Sequence, residues 1–306
     1  MALDDLPGWL PVWCAGQLGA EPVGVRFELR SMSAVFGLRL ADGRDVVVKA
    51  REDDGRAASC VAAQTWLADK GFPCPRPLTA PVGVGVLAVH AEEFRPGGEP
   101  LPGDSPDVAV AYAEVFAGLM SGLAGSAVPP PLPNPRWSRW DHRDSGVWPS
   151  IGSLDELDQR AVPAYVVDTA RRVRERLLAA DLPCVLGHAD FEAQNLCWHG
   201  TEVWAVHDWD SLAWQPEAAL VGAAGGAFPK TGPATLPPIE SSAAFLAAYQ
   251  DHRGRRFSEE EQEVAWAASL WTAAHDVRWE ALHGKAPNAD DALRTQAAER
   301  LRRANA

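Results

Sequence analysis

Gly187-His188-Ala189-Asp190-Phe191-Glu192-Ala193-Gln194-Asn195, followed a few residues on by His207-Asp208-Trp209-Asp210, decides how this chain is read. Asp190 and Asn195 stand five apart in a segment with neither helical nor strand periodicity. A loop lets two such side chains converge, whereas a helix advancing 100° per residue would splay them at this spacing. The apolar run Val203-Trp204-Ala205-Val206-His207 reads as a buried strand that delivers Asp208 at its tip. A carboxylate there is costly unless it is paired or metal-bound. Asp190 can take a hydroxyl proton, and Asn195 and Asp208 offer hard oxygen ligands to Mg²⁺ against nucleotide phosphates. Those are the parts of phosphoryl transfer to an alcohol. A lone His-x-Asp-x4-Asn would be a weak signal, and the Asp-Trp-Asp behind a hydrophobic strand makes it strong.

Composition narrows the classes. With 306 residues, 47% hydrophobic and 23% charged, the chain can build a large core, and one large or two intimate domains are expected. A formal charge of −13 argues against sequence-independent binding to a nucleic-acid polymer; it would favour cationic small molecules at long range, with solubility as its ordinary explanation. Lysine occurs only at Lys49, Lys70, Lys230 and Lys285, so a lysine inside an apolar strand stands out. The start, Met1-Ala2-Leu3-Asp4-Asp5, lacks a basic region followed by an apolar stretch, and no run approaches the roughly 20 apolar residues of a membrane span. The scattered cysteines Cys14, Cys60, Cys74, Cys184 and Cys197 read as free thiols in a reducing cytoplasm, where the protein is expected.

Strands with one helix come first and helices dominate afterwards, which sets an expected boundary near residue 95: a nucleotide-binding part over 1–95 and a catalytic, acceptor-binding part over 96–306. Strands are expected at Val23 to Arg30, Val35 to Leu40 and Asp45 to Ala50, with Asp42-Gly43-Arg44 as a hairpin turn. A further strand spans Val82 to Val89. Helices are expected over Arg56 to Lys70, Pro106 to Gly122, Arg160 to Ala180, Ser241 to Asp251, Ser258 to His283 and Ala289 to Arg303. Ser258-Glu259-Glu260-Glu261 has the form of an N-cap with an acidic first turn. Pro129 to Pro149 is proline- and tryptophan-rich and irregular, as lids and functional loops often are.

On His188, Asp190, Asn195 and Asp208-Trp209-Asp210, the chain resembles the aminoglycoside phosphotransferase family, relatives of protein kinases and choline kinases. The resemblance covers about residues 23 to 283. It implies an α+β, two-lobed protein-kinase-like fold, with a small β-rich N-lobe and a larger, mostly helical C-lobe. It implies Asp190 as catalytic base or orienting carboxylate, Asn195 and Asp208 as Mg²⁺ ligands, and His188 and Asp210 in support. Lys49, within Val46-Val47-Val48-Lys49-Ala50, fits the family's third-strand lysine that meets the nucleotide phosphates. That lysine's partner, a helix glutamate six residues before a Trp-Leu pair, falls on Cys60, and Gln64 one turn on is a neutral substitute. The turn Ser31-Met32-Ser33-Ala34 lacks the glycines of a phosphate-covering loop, so backbone amides and the Ser33 hydroxyl would serve. Glu92-Glu93-Phe94, after a strand ending at Val89-His90, takes the place of the hinge that holds the nucleotide base, with Glu93 and Phe94 as contacts.

Three other patterns have ordinary explanations. Gly225-Gly226-Ala227-Phe228-Pro229-Lys230-Thr231 suggests a P-loop, but Pro229 removes an amide that the phosphate cradle needs. Cys197, His199 and His207 are too few and too close to the Mg²⁺ motif to make a zinc site. Trp66, Trp266 and Trp271 fall at apolar helix positions and read as core, while Trp137, Trp140 and Trp148 in the irregular loop are candidates to face substrate. For a cationic acceptor the acidic candidates are Asp141, Asp144, Glu217, Asp276 and Glu280, the last two four apart on one helix face, which reads equally as an ordinary solvated face. The expected activity is Mg²⁺-dependent transfer of the γ-phosphoryl group of ATP or GTP to a hydroxyl of a small polar, cationic acceptor such as an aminoglycoside-like antibiotic, which would make the enzyme a resistance factor. A metabolic kinase of an amino alcohol, sugar or amino acid, and a nucleotide-binding module with weak catalysis, are the alternatives.

Overall fold

The computed structural model describes residues 5–30, 33–229 and 236–306. The chain divides into two compact units. The first comprises Met1–Gly97 with Ser126–Pro133 and Ala205–Asp210, and the second comprises Gly98–Gly125, Asn134–Trp204 and Ser211–Ala306.

The first unit holds helix α1 (Trp9–Leu18), strands β1 (Pro22–Arg30), β2 (Ala34–Leu40) and β3 (Asp45–Glu52), helix α2 (Ala57–Asp69), and strands β4 (Val82–Val84) and β5 (Leu87–Glu93). The strands form one antiparallel sheet in the order β1-β2-β3-β5-β4. The expected hairpin at Asp42-Gly43-Arg44 forms, with Gly43 at φ +87° and Asp42 Oδ1 accepting from the Arg44 amide at 3.0 Å. Alternation along β3 and β5 splits their residues between two faces. Val46, Val48, Ala50, Val89 and Ala91 pack with Leu10, Trp13 and Cys14 of α1. Val47, Lys49, Arg51, His90 and Glu92 point the other way.

Two expectations change here. The apolar run from Val82 does not make a single strand, because Gly85 (φ +60°) turns the chain between β4 and β5. β5 then continues past His90 to Glu93, so Glu92 lies inside the sheet, opposite Val47, and not beyond its end.

The second unit holds α3 (Pro106–Leu123), the single-turn α4 (Gly152–Asp155), α5 (Ala164–Ala179), the two-stranded pairs made by β6 (Cys184–His188) with β9 (Leu212–Pro216) and by β7 (Leu196–His199) with β8 (Glu202–Val206, its last two residues in the first unit), and then α6 (Glu217–Ala227), α7 (Ile239–Arg253), α8 (Glu259–Leu282) and α9 (Asn288–Ala304). β8 is the strand along which the chain passes back to the first unit. The core is aromatic: Phe116 packs on Phe191, Phe245 and Tyr249, and Tyr112 packs on Phe191, Trp198 and Phe228. The expected start of α8 forms a full capping box, with Ser258 Oγ accepting from the Glu261 amide and Glu261 accepting from the Ser258 amide. Residues 129–149 carry one 3-10 turn, at Arg136–Ser138, and are otherwise irregular.

Candidate functional site

In the second unit, Asp190 follows β6 directly. A Cβ on Gly187 would lie 2.7 Å from Met120 Sδ and 2.6 Å from Leu220, so glycine lets β6 run tight against α3 and α6. His188 is fully buried, and its Nδ1 accepts from the Asp190 amide at 3.2 Å. Phe191 sinks into the aromatic core with 1% exposure, which pins the loop on the residue next to Asp190. A 3-10 turn, Ala193–Asn195, brings Asn195 back so that its Nδ2 donates to the Asp190 backbone oxygen at 2.8 Å and to Asp190 Oδ2 at 2.9 Å. The two polar residues converge as their spacing implied. With the amide nitrogen engaged on Asp190, Asn195 Oδ1 is the atom it can offer to a cation.

Asp276, on α8, faces Asp190 and Glu280. Burial first, and then those two charges, push its carboxyl up to about 8. Glu280 is otherwise engaged, both oxygens accepting from the Ala289 amide, at 3.1 and 3.0 Å, at the start of α9. Glu217 is likewise held, by Tyr249, Arg253 and Arg255. Trp140 is buried at 8% exposure, and its backbone oxygen accepts from Arg174. The tryptophan that meets α8 is Trp148, which packs against Trp271 and His275 and lies under the Arg278 guanidinium.

In the first unit, Lys49 is buried and carries an ion pair. Its Nζ lies 3.0 Å from Glu92 Oε1, and Gln64 Nε2 donates to Glu92 Oε2 at 2.9 Å. Burial opposes the lysine's charge, but Glu92, Asp210 and Asp208 outweigh it and hold its pKa above the ordinary lysine value. Burial would raise Glu92, and Lys49 with His90 holds it below the usual carboxylate range instead. The lysine therefore takes its carboxylate from β5, where α2 offered only Cys60 and Gln64. Sequence reading missed Glu92 because it ended β5 too soon. Carried on to Glu93, the alternation Ala88, His90, Glu92 would have placed a carboxylate on the lysine's face.

Asp208 closes the run that begins with β8. Its backbone is left-handed (φ +60°), a conformation aspartate tolerates better than most residues. Two contacts pin the loop around it: Val206 donates its amide to the Pro73 oxygen at 2.8 Å, and buried Trp209 donates Nε1 to the Val206 oxygen at 2.9 Å. Arg51, two residues beyond Lys49 on the same face of β3, reaches the Asp210 carboxylate at 3.6 Å. Arg51 was also absent from the sequence reading. Ser33 is half-buried just before β2, while Ser31 and Met32 lie outside the described residues. Glu93 is exposed and accepts from the Arg76 amide at 3.1 Å, and Phe94 packs on Phe27.

The P-loop pattern is dismissed by its own glycines, since Gly225 and Gly226 lie inside α6; Lys230 and Thr231 lie outside the described residues. Among the described residues, no group of three or more His, Cys, Asp or Glu is placed to hold a metal ion. The side chains expected from the sequence to meet a cation, Asn195 and Asp208, each offer a hard oxygen donor. Such oxygen donors suit Mg²⁺, which keeps water and phosphate oxygens and takes one or two ligands from protein.

Compared with known proteins, residues 32–219 match the model of the phosphotransferase enzyme family, APH. The sequence has no match among curated proteins. Solved structures give the fold. The amicoumacin kinase hAmiN, in complex with AMP-PNP, Ca²⁺ and Ami, aligns with a TM-score of 0.65 at 11% identity, over 92% of this chain and 89% of that one. A thermostable mutant of the aminoglycoside phosphotransferase APH(4)-Ia, in ternary complex with ADP and hygromycin B, aligns at 0.56 and 15% identity over 97% and 99%. A choline/ethanolamine kinase family protein from Mesorhizobium loti aligns at 0.55 and 17% identity over 96% and 92%. The fold is that of the protein-kinase-like aminoglycoside kinases. The chain belongs to the phosphotransferase enzyme family and is a small-molecule kinase.

Proposed function

We propose that the protein is a Mg²⁺-dependent kinase that moves the γ-phosphoryl group of ATP or GTP to a hydroxyl of a small, polar, cationic acceptor. The observation that carries this reading is the double hydrogen bond from Asn195 to Asp190, which holds a carboxylate in one orientation. Asp190 aligns the acceptor hydroxyl and takes its proton as the new P–O bond forms. Lys49 meets the nucleotide phosphates, with Ser33 and the backbone of Glu93 and Phe94 as further nucleotide contacts. Asn195 Oδ1 and Asp208 would hold Mg²⁺, which when bound supplies the positive charge that offsets the transferring group. Positioning and charge neutralisation are most of what this reaction needs from a protein.

Asp276, beside Asp190, would receive an ammonium group of the acceptor, whose positive charge would favour the ionised carboxylate over the protonated form. Aminoglycoside-like antibiotics fit that chemistry and would make the enzyme a resistance factor. The similarity in fold to a choline/ethanolamine kinase family protein favours an amino alcohol as the second reading. A module of weak catalysis had its support in Cys60, and the Glu92 carboxylate on Lys49 speaks for the active enzyme. A cytoplasmic setting is supported by the five free thiols. Among the described residues, no helix is long and apolar enough to cross a membrane.

The test is a coupled turnover screen with ATP and GTP over aminoglycosides, other hydroxylated antibiotics and amino alcohols, with and without Mg²⁺. Acceptor-dependent turnover that needs the metal is expected. Asp190→Asn should lower kcat by about 10²- to 10⁴-fold, the range of a lost general base, with the nucleotide KM nearly unchanged. Turnover that survives this substitution, or none across the panel, would sink the reading.

A further inference from the structure

β3 and β5 pair antiparallel, with Lys49 opposite His90 and Val47 opposite Glu92. Residues directly opposed across two strands share a face, so Lys49 and Glu92 are diagonal neighbours. That separation suits a long side chain reaching across. The pair closes at 3.0 Å with Glu92 only 2% exposed. A carboxylate so far from water needs its second oxygen satisfied as well. Gln64 does this, and the same Nε2 donates to the Pro75 oxygen at 2.7 Å, which ties the amide to the chain beyond α2. Cys60 has no carboxylate to give, and burial pushes its thiol up to about 12, so it stays neutral.

We propose that Glu92 is the positioning residue that holds Lys49 for the nucleotide phosphates, with Gln64 fixing Glu92 in turn, a role conditional on Lys49 meeting those phosphates as proposed. The carboxylate is borne by the strand next to the lysine and not by the helix. The β3–β5 ladder then sets the lysine's position, and α2 contributes a neutral amide alone. The ammonium remains charged, and its approach is fixed by the backbone hydrogen bonds of the sheet.

A double-mutant cycle on the full chain tests this, with ATP and AMP-PNP binding measured by calorimetry beside steady-state kinetics. Lys49→Met should weaken nucleotide binding. Glu92→Gln, close in shape but neutral, should raise the nucleotide KM and dissociation constant roughly tenfold while the acceptor KM changes little. In the Lys49→Met background the same substitution should change nucleotide binding less than roughly twofold, because its effect runs through the lysine. Gln64→Leu leaves the ion pair in place and should weaken binding in the same direction by less, which keeps a readout if Glu92→Gln does not fold. A folded Glu92→Gln with unchanged affinity makes Glu92 merely structural and overturns the proposal. Tighter nucleotide binding would make Glu92 a competitor for the lysine and overturns it too. If Lys49→Met itself leaves affinity intact, it is the reading of Lys49 that fails.

Discussion

Asp276 and Glu280 stand one helical turn apart on α8, and their surroundings have separated their roles. Glu280 accepts from the amide at the start of α9, which offsets part of the burial that raises its carboxyl, while Asp276 is set against Asp190. Its raised pKa carries a stability consequence of definite sign. In the unfolded chain the group loses its proton near pH 4, whereas in the folded chain it keeps the proton until about 8. Between those values the folded state binds more protons, so stability falls as pH rises. Asp276→Asn imitates the protonated form and removes that slope. Its thermal midpoint should therefore exceed the parent's by a margin that widens from pH 5 to pH 8 and is level above. Scanning fluorimetry across that range checks it, and a margin independent of pH would show that the carboxyl is not held neutral. The i, i+4 spacing placed both residues on one face. It did not reveal that Glu280 would meet α9, because that depends on where Ala289 arrives in space.

Helix α6 shows what glycines inside a helix can be for. Gly225 and Gly226, which belong to the P-loop-like pattern, serve helix packing together with Gly222. A Cβ on Gly222 would sit 2.0 Å from the Ala265 backbone oxygen on α8, and one on Gly226 would lie 2.9 Å from Ser269 Cα. Backbone cannot yield as a flexible side chain can, so α6 and α8 would have to move apart. Gly222→Ala should destabilise the protein by about 1–3 kcal/mol or more, despite alanine's better helix propensity. Gly118→Ala, on α3 with nothing within 4 Å of its Cβ, is the control and should be neutral or stabilising. Equal midpoints in urea for the two variants would contradict the packing argument. α1 escaped notice in the sequence. Trp9-Leu10-Pro11-Val12-Trp13-Cys14 has no polar face to set a period, and Pro11 reads as a breaker although a helix's first turn needs no amide there. The strands and the later helices were legible because alternation, capping and charge placement agree within each element. The pairing of Lys49 with Glu92 needed the register of β3 on β5, which no single element contains.

At the scale of the whole chain, the charge of −13 gives the proposed substrates opposite relations to the protein. The summed field attracts a polycationic acceptor from solution and repels an anionic nucleotide. Salt weakens both effects, since the Debye length shortens to about 10 Å at 0.1 M and about 3 Å at 1 M. Close pairs inside the sites are screened far less than the approach. Raising ionic strength should therefore increase the KM of a polycationic acceptor several-fold and leave the nucleotide KM level or lower, at fixed free Mg²⁺. A neutral sugar or a single-amine alcohol would show a weaker salt response, so the slope of log KM against log salt reports acceptor charge before its structure is known. Were the acceptor KM flat in salt while turnover is strong, the acidic balance would be a matter of solubility, and the acceptor would be sought among neutral hydroxyl compounds.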